Sequence, residues 1–270
     1  MSAGKGRPAG QSDLLQVALV QAELRWQAPE ANRAHLAELM DEKSGADLFV
    51  LPETFTTGFL GDAEREAEAF DGPTLRWMRE QAEARSAAIT GSMAVSDESG
   101  LRRNRMVFMP PDGEASWYDK RHLFAYGGED QRYRAGKTPT VVDWRGWRID
   151  LQICYDLRFP VWCRNDRDFD LQLFVANWPT PRVDVWRLLL RARAVENQAF
   201  VIGVNRTGLD GHGVAYPGRS SAWDGGGQCL LELDGEESTG LVPLDHDALT
   251  DLRAKLPFLR DADRFRIDYG

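Results

Sequence analysis

Histidine is scarce in this chain, with four in 270 residues, and cysteine scarcer still, with three. His35, His122, His212 and His246 are widely spaced, and none makes a close ligand pair with another histidine or with a cysteine. That spacing matches no common zinc pattern, so no metal is expected. The glycines of 224-DGGG-227 lack the lysine and the serine or threonine of a phosphate loop, and they read as a hairpin turn. Nothing calls for a cofactor. Cys154, Cys163 and Cys229 cannot all pair within one chain, so at least one thiol is free and a reducing cytoplasm is the expected setting. No run approaches the roughly 18 apolar residues of a membrane span. Positive charge is short as well: 33 Lys and Arg stand against 42 Asp and Glu, for a formal charge of -9, and the basic residues are scattered. A phosphate backbone needs concentrated positive charge, which argues against nucleic acid as a partner. The stretch 1-MSAGKGRPAGQSD-13 has no apolar core segment and is expected to be a loose tail instead of a signal peptide. With no linker, repeat or low-complexity insert, residues 14–270 are expected to form a single domain.

Apolar residues make up 43% of the chain, enough for a sizeable core. Alternation in 14-LLQVALVQAEL-24 predicts a strand, 30-EANRAHLAELMDEKSG-45 a helix closed by glycine, and 46-ADLFVLPE-53 a short buried strand. Helical spacing over Phe70 to Arg85 precedes another buried strand at 87–95. Two hairpins are predicted in the middle, 104–124 around Pro-Asp-Gly and 140–156 around Arg-Gly. A strand at 169–179, a helix at 183–197 and a strand at 199–208 follow, then glycine-rich hairpin material at 214–233 and a helix near 246–256. Strands and helices mixed with hairpins predict an α/β fold with a mixed sheet, or a pair of sheets, covered by helices.

Three reactive groups stand where predicted strands stop: Glu53, Lys120 and Cys154, 67 and 34 positions apart. Strand ends are held by the sheet yet face the loops, the usual place for a site on a rigid scaffold. If the fold unites them, cysteine supplies a nucleophile and Glu53, buried near Phe55 and Phe59, a base with a raised pKa. Lys120 and the Tyr155 backbone N–H then hold the oxyanion of a tetrahedral intermediate. Each group also has an ordinary alternative. Cys154 can be an inert buried thiol, like Cys163 and Cys229, while Glu53 can cap a loop and Lys120 can be one more solvated lysine. A Cys154–His122 pair is a rival catalytic reading. A silent interaction domain, using some of the nine tryptophans as an interface, is a rival of another class.

The stretches 51-LPE-53, 118-YDKRHLF-124 and 153-ICYDLRFP-160 occur in this order and resemble the three signature regions of the nitrilase superfamily of carbon–nitrogen hydrolases. The likeness runs from about residue 14 and includes 174-FVANWP-179 and 193-RAVENQAFVIGVNRTG-208. It implies an α-β-β-α sandwich, commonly paired as a homodimer through helices, with the helix around Trp186 as a contributor. It assigns a catalytic triad to Glu53, Lys120 and Cys154, and a second glutamate near the substrate to Glu129. Within the superfamily the chain most resembles the omega-amidase branch, which hydrolyses the terminal amide of alpha-ketoglutaramate or alpha-ketosuccinamate to the 2-oxo dicarboxylate and ammonia. Nitrilase and N-carbamoyl amidohydrolase activity would use the same triad. The substrate pocket is expected near Phe124, Tyr126, Tyr155 and Trp178, with Arg158, Arg134 or Tyr126 open as carboxylate ligands. Arg158 can equally pair with Asp156.

Overall fold

Along the first strand, Leu14–Gln21, Val17 and Leu19 pack into one apolar cluster while Ala18 and Val20 pack into another. Successive side chains of a strand point to opposite faces, so this sheet is buried on both. Leu48–Val50 repeats the pattern, with Leu48 and Val50 on one side and Phe49 on the other. The structure, a computed structural model, describes residues 14–61, 67–97 and 99–268; the tail expected over 1–13 lies outside them.

The first sheet runs in the order Ser238–Asp245, Leu14–Gln21, Leu48–Val50, Ala88–Ser96, Arg102–Met109 and Ser116–Asp119, with Glu68–Ala69 paired to the fourth of these. The second runs Cys229–Glu232, Ser221–Trp223, Phe200–Asn205, Leu171–Ala176, Trp147–Ile153 and Val141–Trp144. Each has three parallel central strands flanked by antiparallel ones. Parallel strands need crossovers, and helices supply them. Helices Pro29–Asp41 and Pro73–Arg85 put Leu36, Leu39, Leu75 and Met78 on the Ala18 face of the first sheet. Its other face meets the second sheet, where Val17, Leu48 and Met106 share a cluster with Ile149, Leu151 and Leu173. Helix Val183–Asn197 covers the far side of the second sheet, with Trp186 and Leu190 lying directly over Gly203. The order of layers is α-β-β-α, as the resemblance implies.

The Arg-Gly hairpin forms through two left-handed residues, Arg145 at φ 50° and Gly146 at φ 79°, which is what a tight two-residue turn requires. The 214–233 stretch holds hairpin strands as expected, divided between two sheets: Ala215–Pro217 pairs with Thr207–Leu209, and Ser221–Trp223 pairs with Cys229–Glu232 across the 224–227 turn. The edge strand Ser238–Asp245 was not predicted, and its Pro243 is tolerated because an edge strand leaves one side of its ladder unused. No helix among the described residues is long and apolar enough to cross a membrane.

Candidate active site

Each of the three reactive groups follows a strand of the layered core. Glu53 comes three residues after Leu48–Val50, on a segment kept in line by the Leu51 N–H donating to the Thr90 carbonyl at 2.7 Å. Lys120 follows Ser116–Asp119, with its N–H on the Asn104 carbonyl at 2.9 Å. Cys154 follows Trp147–Ile153 at φ 43°, the left-handed region that non-glycine residues occupy at a cost. These ends converge. The Lys120 ammonium donates to Glu53 Oε1 at 2.7 Å and to both Glu129 oxygens at 2.9 Å, and all three side chains are fully buried. The Cys154 thiol lies within reach of the charges of Glu53, Lys120 and Glu129, all of which act on its ionisation.

Other residues fix this cluster. Asn104 Nδ2 donates to Glu53 Oε1 at 2.9 Å, and the Asn177 backbone N–H donates to Oε2 at 2.8 Å. Asn177 Nδ2 also holds the Glu53 carbonyl at 2.8 Å. Glu53 is therefore surrounded by donors, where the sequence had suggested an apolar setting beside Phe55 and Phe59. Phe55 packs into the helix-side core, and Phe59 lies over the Lys120 ammonium at 5.1 Å. Glu129 is oriented by the Phe124 N–H, which donates to its Oε2 at 2.6 Å. The Gly136 N–H donates to the Lys120 carbonyl at 2.9 Å, and a Cβ on Gly136 would stand 2.1 Å from the Asp119 carbonyl oxygen. Gly136→Ala must therefore displace the backbone that carries Lys120. We expect a loss of about 1–3 kcal/mol in denaturant unfolding, with the chemistry of the site weakened alongside.

Burial opposes the charge on Lys120, but Glu129 and Glu53 outweigh it and hold the ammonium well above the ordinary lysine value. Burial raises the Glu129 carboxyl, with Lys120 opposing. Burial also pushes the Cys154 thiol up, the Glu53 charge adds to the shift and Lys120 opposes it. The resting sulfur thus keeps its proton, and Glu53 is the carboxylate whose charge acts on it most strongly.

Asp156 braces the two loops that carry the cysteine and the lysine. Its Oδ2 accepts from the Ile153 N–H at 3.1 Å and the Tyr118 hydroxyl at 2.8 Å, and its Oδ1 accepts from the His122 N–H at 2.9 Å. His122 Nδ1 lies 2.7 Å from the same Oδ1 and its ring stacks on Phe159 at 3.7 Å. His122 is thereby committed to Asp156, which removes the geometric basis for a Cys154–His122 pair. His122→Ala is expected to lower stability by about 1–2 kcal/mol and to leave acyl-enzyme formation intact. A quench followed by protein mass measurement checks this, and loss of the acyl species would revive the histidine reading.

A cavity of about 350 Å³ opens onto Cys154 and is lined by Tyr155, Phe124, Arg158 and Trp178, all expected there. Tyr126 is not: its side chain is 92% exposed and points outside the wall. Arg134 is exposed too, and among the described residues its guanidinium reaches the Asp130 carbonyl at 3.5 Å. Arg158 forms no ion pair with Asp156 and lies over the Trp178 ring at 4.8 Å, because Asp156 is already taken by Tyr118 and His122. Trp186 is fully buried, donating to the Arg219 carbonyl, so it faces its own sheet and not a partner. Sequence reading missed Asn104, Asn177 and the cavity residues Arg132, Arg182, Asp210 and His212. Asn177 carried the signal that found Glu53, since it directly follows the strand Leu171–Ala176. Arg182, in the turn Thr180–Arg182, carried none. Cys163 is buried, its thiol donating to the Asp156 carbonyl, and Cys229 is exposed; all three cysteines are free. Among the described residues, no three His, Cys, Asp or Glu side chains group to hold a metal ion.

Comparison with known proteins follows the same lines. The carbon–nitrogen hydrolase family model matches residues 16–254. An omega-amidase of Escherichia coli (strain K12) is 44% identical over 254 residues, covering 94% of this chain and 98% of its own. A 2-oxoglutaramate amidase of Paenarthrobacter nicotinovorans is 34% identical over 92% of this chain and 89% of its own. The crystal structure of a Xanthomonas campestris CN-hydrolase superfamily protein, with an arsenic adduct in its active site, is 46% identical. It superposes with a TM-score of 0.92 over 94% of this chain and 99% of that one.

Proposed function

The chain belongs to the carbon–nitrogen hydrolase family, and from that premise we propose that it is an omega-amidase working through Cys154, Glu53 and Lys120 by way of a thioester. It is an amidohydrolase acting on non-peptide amides. The observation that carries the triad is a single carboxylate, Glu53, that bonds the Lys120 ammonium at 2.7 Å while its charge acts on the Cys154 thiol.

Glu53 takes the thiol proton as Cys154 Sγ attacks the amide carbon, and the carbonyl electron pair moves onto oxygen. Lys120 and the Tyr155 N–H hold that oxyanion. Tyr155 stands in the first turn of the short helix Cys154–Arg158, where N–H groups have no partner within the helix. Collapse restores the carbonyl and breaks the C–N bond, Glu53 returns its proton to nitrogen, and ammonia leaves behind a thioester. Glu53 then deprotonates water, which attacks the thioester. The second collapse expels the sulfur, which regains its proton from Glu53, and releases the acid. Glu129, gripping the ammonium through both oxygens, fixes where that charge points.

The names of the relatives favour the terminal amide of a 2-oxo dicarboxylate as substrate. Ammonia release from alpha-ketoglutaramate, measured beside simple nitriles and N-carbamoyl acids, separates this from the nitrilase and carbamoylase readings. A silent interaction domain would release none from any of them. Glu53→Gln keeps the shape but loses the base, and is expected to slow acylation on the order of 10²- to 10⁴-fold. A rapid-quench ammonia burst at the wild-type rate would contradict the role given to Glu53. A free thiol nucleophile suits a reducing cytoplasm. We propose that the homodimer implied by resemblance forms through the outer face of Val183–Asn197, a reading supported by Leu188 at 65% and Val195 at 49% exposure. Light scattering at twice 30.4 kDa supports it, and the single mass opposes it.

A further inference from the structure

Helix Val183–Asn197 buries Trp186, Leu190, Arg193, Ala194 and Asn197, which recur at helical spacing and so share one face. Arg193 is the charged member of that set. It is only 3% exposed, and a guanidinium on the buried face of a helix stands where the pattern calls for an apolar side chain. Its bonds do not fully offset the desolvation which that placement costs. Nη1 donates to Glu196 Oε1 at 2.7 Å, one turn further along, while Nε is buried without a hydrogen-bond partner among the described residues. Apolar side chains of similar volume often stabilise such a position as well or better. Packing alone therefore gives no reason for the cation.

Its other nitrogen does. Arg193 Nη2 donates to the Leu157 carbonyl at 2.7 Å, and Leu157 lies within the short turn Cys154–Arg158. That turn begins with Cys154 at φ 43°, a conformation that persists only where the surroundings hold it from several sides. The Asp156 carboxylate holds its entry through the Ile153 N–H at 3.1 Å. The Asp156 carbonyl accepts from the Cys163 thiol at 3.1 Å, and the Cys163 carbonyl in turn accepts from Asn197 Nδ2 at 2.8 Å. The helix thus grips the segment after Cys154 at two points, Asn197 by way of Cys163 and Arg193 directly. The direct grip uses a charged donor, roughly twice as strong as a neutral one.

We infer that Arg193 is a positioning residue for the amidase reaction: by fixing the Leu157 carbonyl it sets where the Cys154 sulfur and the Tyr155 N–H point, without touching the substrate. The inference rests on the amidase reading given above. The same sulfur and the same N–H serve both formation and hydrolysis of the thioester, so a loosened turn slows the two steps alike. Then kcat falls while KM stays.

Steady-state ammonia release from alpha-ketoglutaramate and a thermal melt, run on Arg193→Met and Arg193→Lys, test this. Methionine removes the donor, and kcat is expected to fall on the order of 10- to 100-fold with KM within about twofold of wild type, since a misplacement of about 1 Å costs on the order of 100-fold. Lysine keeps a charged donor on a shorter stem and should recover much of the loss, leaving kcat about 3- to 10-fold below wild type. Arg253→Gln is the structural control. Its guanidinium ties the Gln198 and Phe169 carbonyls at 2.8 and 2.6 Å, outside the cavity wall, so its loss should lower the melting temperature without moving kcat. Unchanged kcat in Arg193→Met overturns the inference, as does a fall in kcat that Arg253→Gln matches at an equal loss of melting temperature. A rise in KM at constant kcat overturns it too. If Arg193→Met does not fold, Arg193→Lys decides alone, and kcat equal to wild type counts against the positioning role. If wild type itself releases no ammonia, the amidase reading falls and this role falls with it.

Discussion

Cys154→Ala is expected to abolish amide hydrolysis, lowering kcat on the order of 10⁴-fold or more, while the protein stays folded. The fold should survive because the backbone turn at residue 154 is held by groups other than the sulfur. The Ile153 N–H is bound by Asp156, whose carboxylate is locked in turn by Tyr118 and His122. Alanine meets the same left-handed backbone as cysteine at φ 43°, so the substitution adds no new strain. It also removes a thiol whose ionisation burial resists. What disappears is the only atom in the cluster able to form a thioester. Steady-state ammonia release and a thermal melt together check this. Cys229→Ala, far less buried and outside the cavity wall, serves as the control that keeps its activity.

Lys120→Met is expected to cost both activity and about 3–5 kcal/mol of stability. Among the described residues Lys120 is the one cation paired with the two buried carboxylates Glu53 and Glu129, and methionine fills its volume while leaving their charges uncompensated. One of the two must then take up a proton in the folded state. A carboxyl whose folded pKa lies above its unfolded value contributes stability that is complete below the unfolded value and is lost as pH rises through the folded one. Burial already raises Glu129 in this sense, and Lys120 is what opposes it. Removing the ammonium exaggerates the rise, so melting temperature should fall more steeply with pH in the variant than in wild type over about pH 5 to 8. A variant as stable as wild type, with a parallel pH profile, would contradict the charge balance described here.

The path from sequence to site was shortest where local pattern decides structure. Val183–Asn197 forms over the predicted residues because its apolar spacing is helical throughout, and the Arg-Gly turn forms where two left-handed residues are needed. Glu53, Lys120 and Cys154 were legible as strand-end groups, and the three motifs in register added a common role for them. Long-range geometry was not legible. Asn177 reaches a carboxylate 124 residues earlier, and nothing beside it in the chain reports that. Tyr126 had looked as suitable for the pocket as Phe124. The left-handed Gly128 and the short turn Ala125–Gly127 instead send one ring inward and the other into solvent. Arg182 reaches the cavity through a short turn that carries no sequence signature of its own. The edge strand Ser238–Asp245 escaped because a proline inside a strand pattern counts against a strand unless its place in the sheet is already known.

The most direct measurement of the central claim is the mass of the protein, quenched during turnover of alpha-ketoglutaramate and followed by peptide mapping. An acyl group is expected on the Cys154 peptide of wild type, and is expected to be absent on the same time scale in Glu53→Gln. Turnover without any acyl group on Cys154, or acylation of the Glu53 variant at the wild-type rate, would contradict that claim.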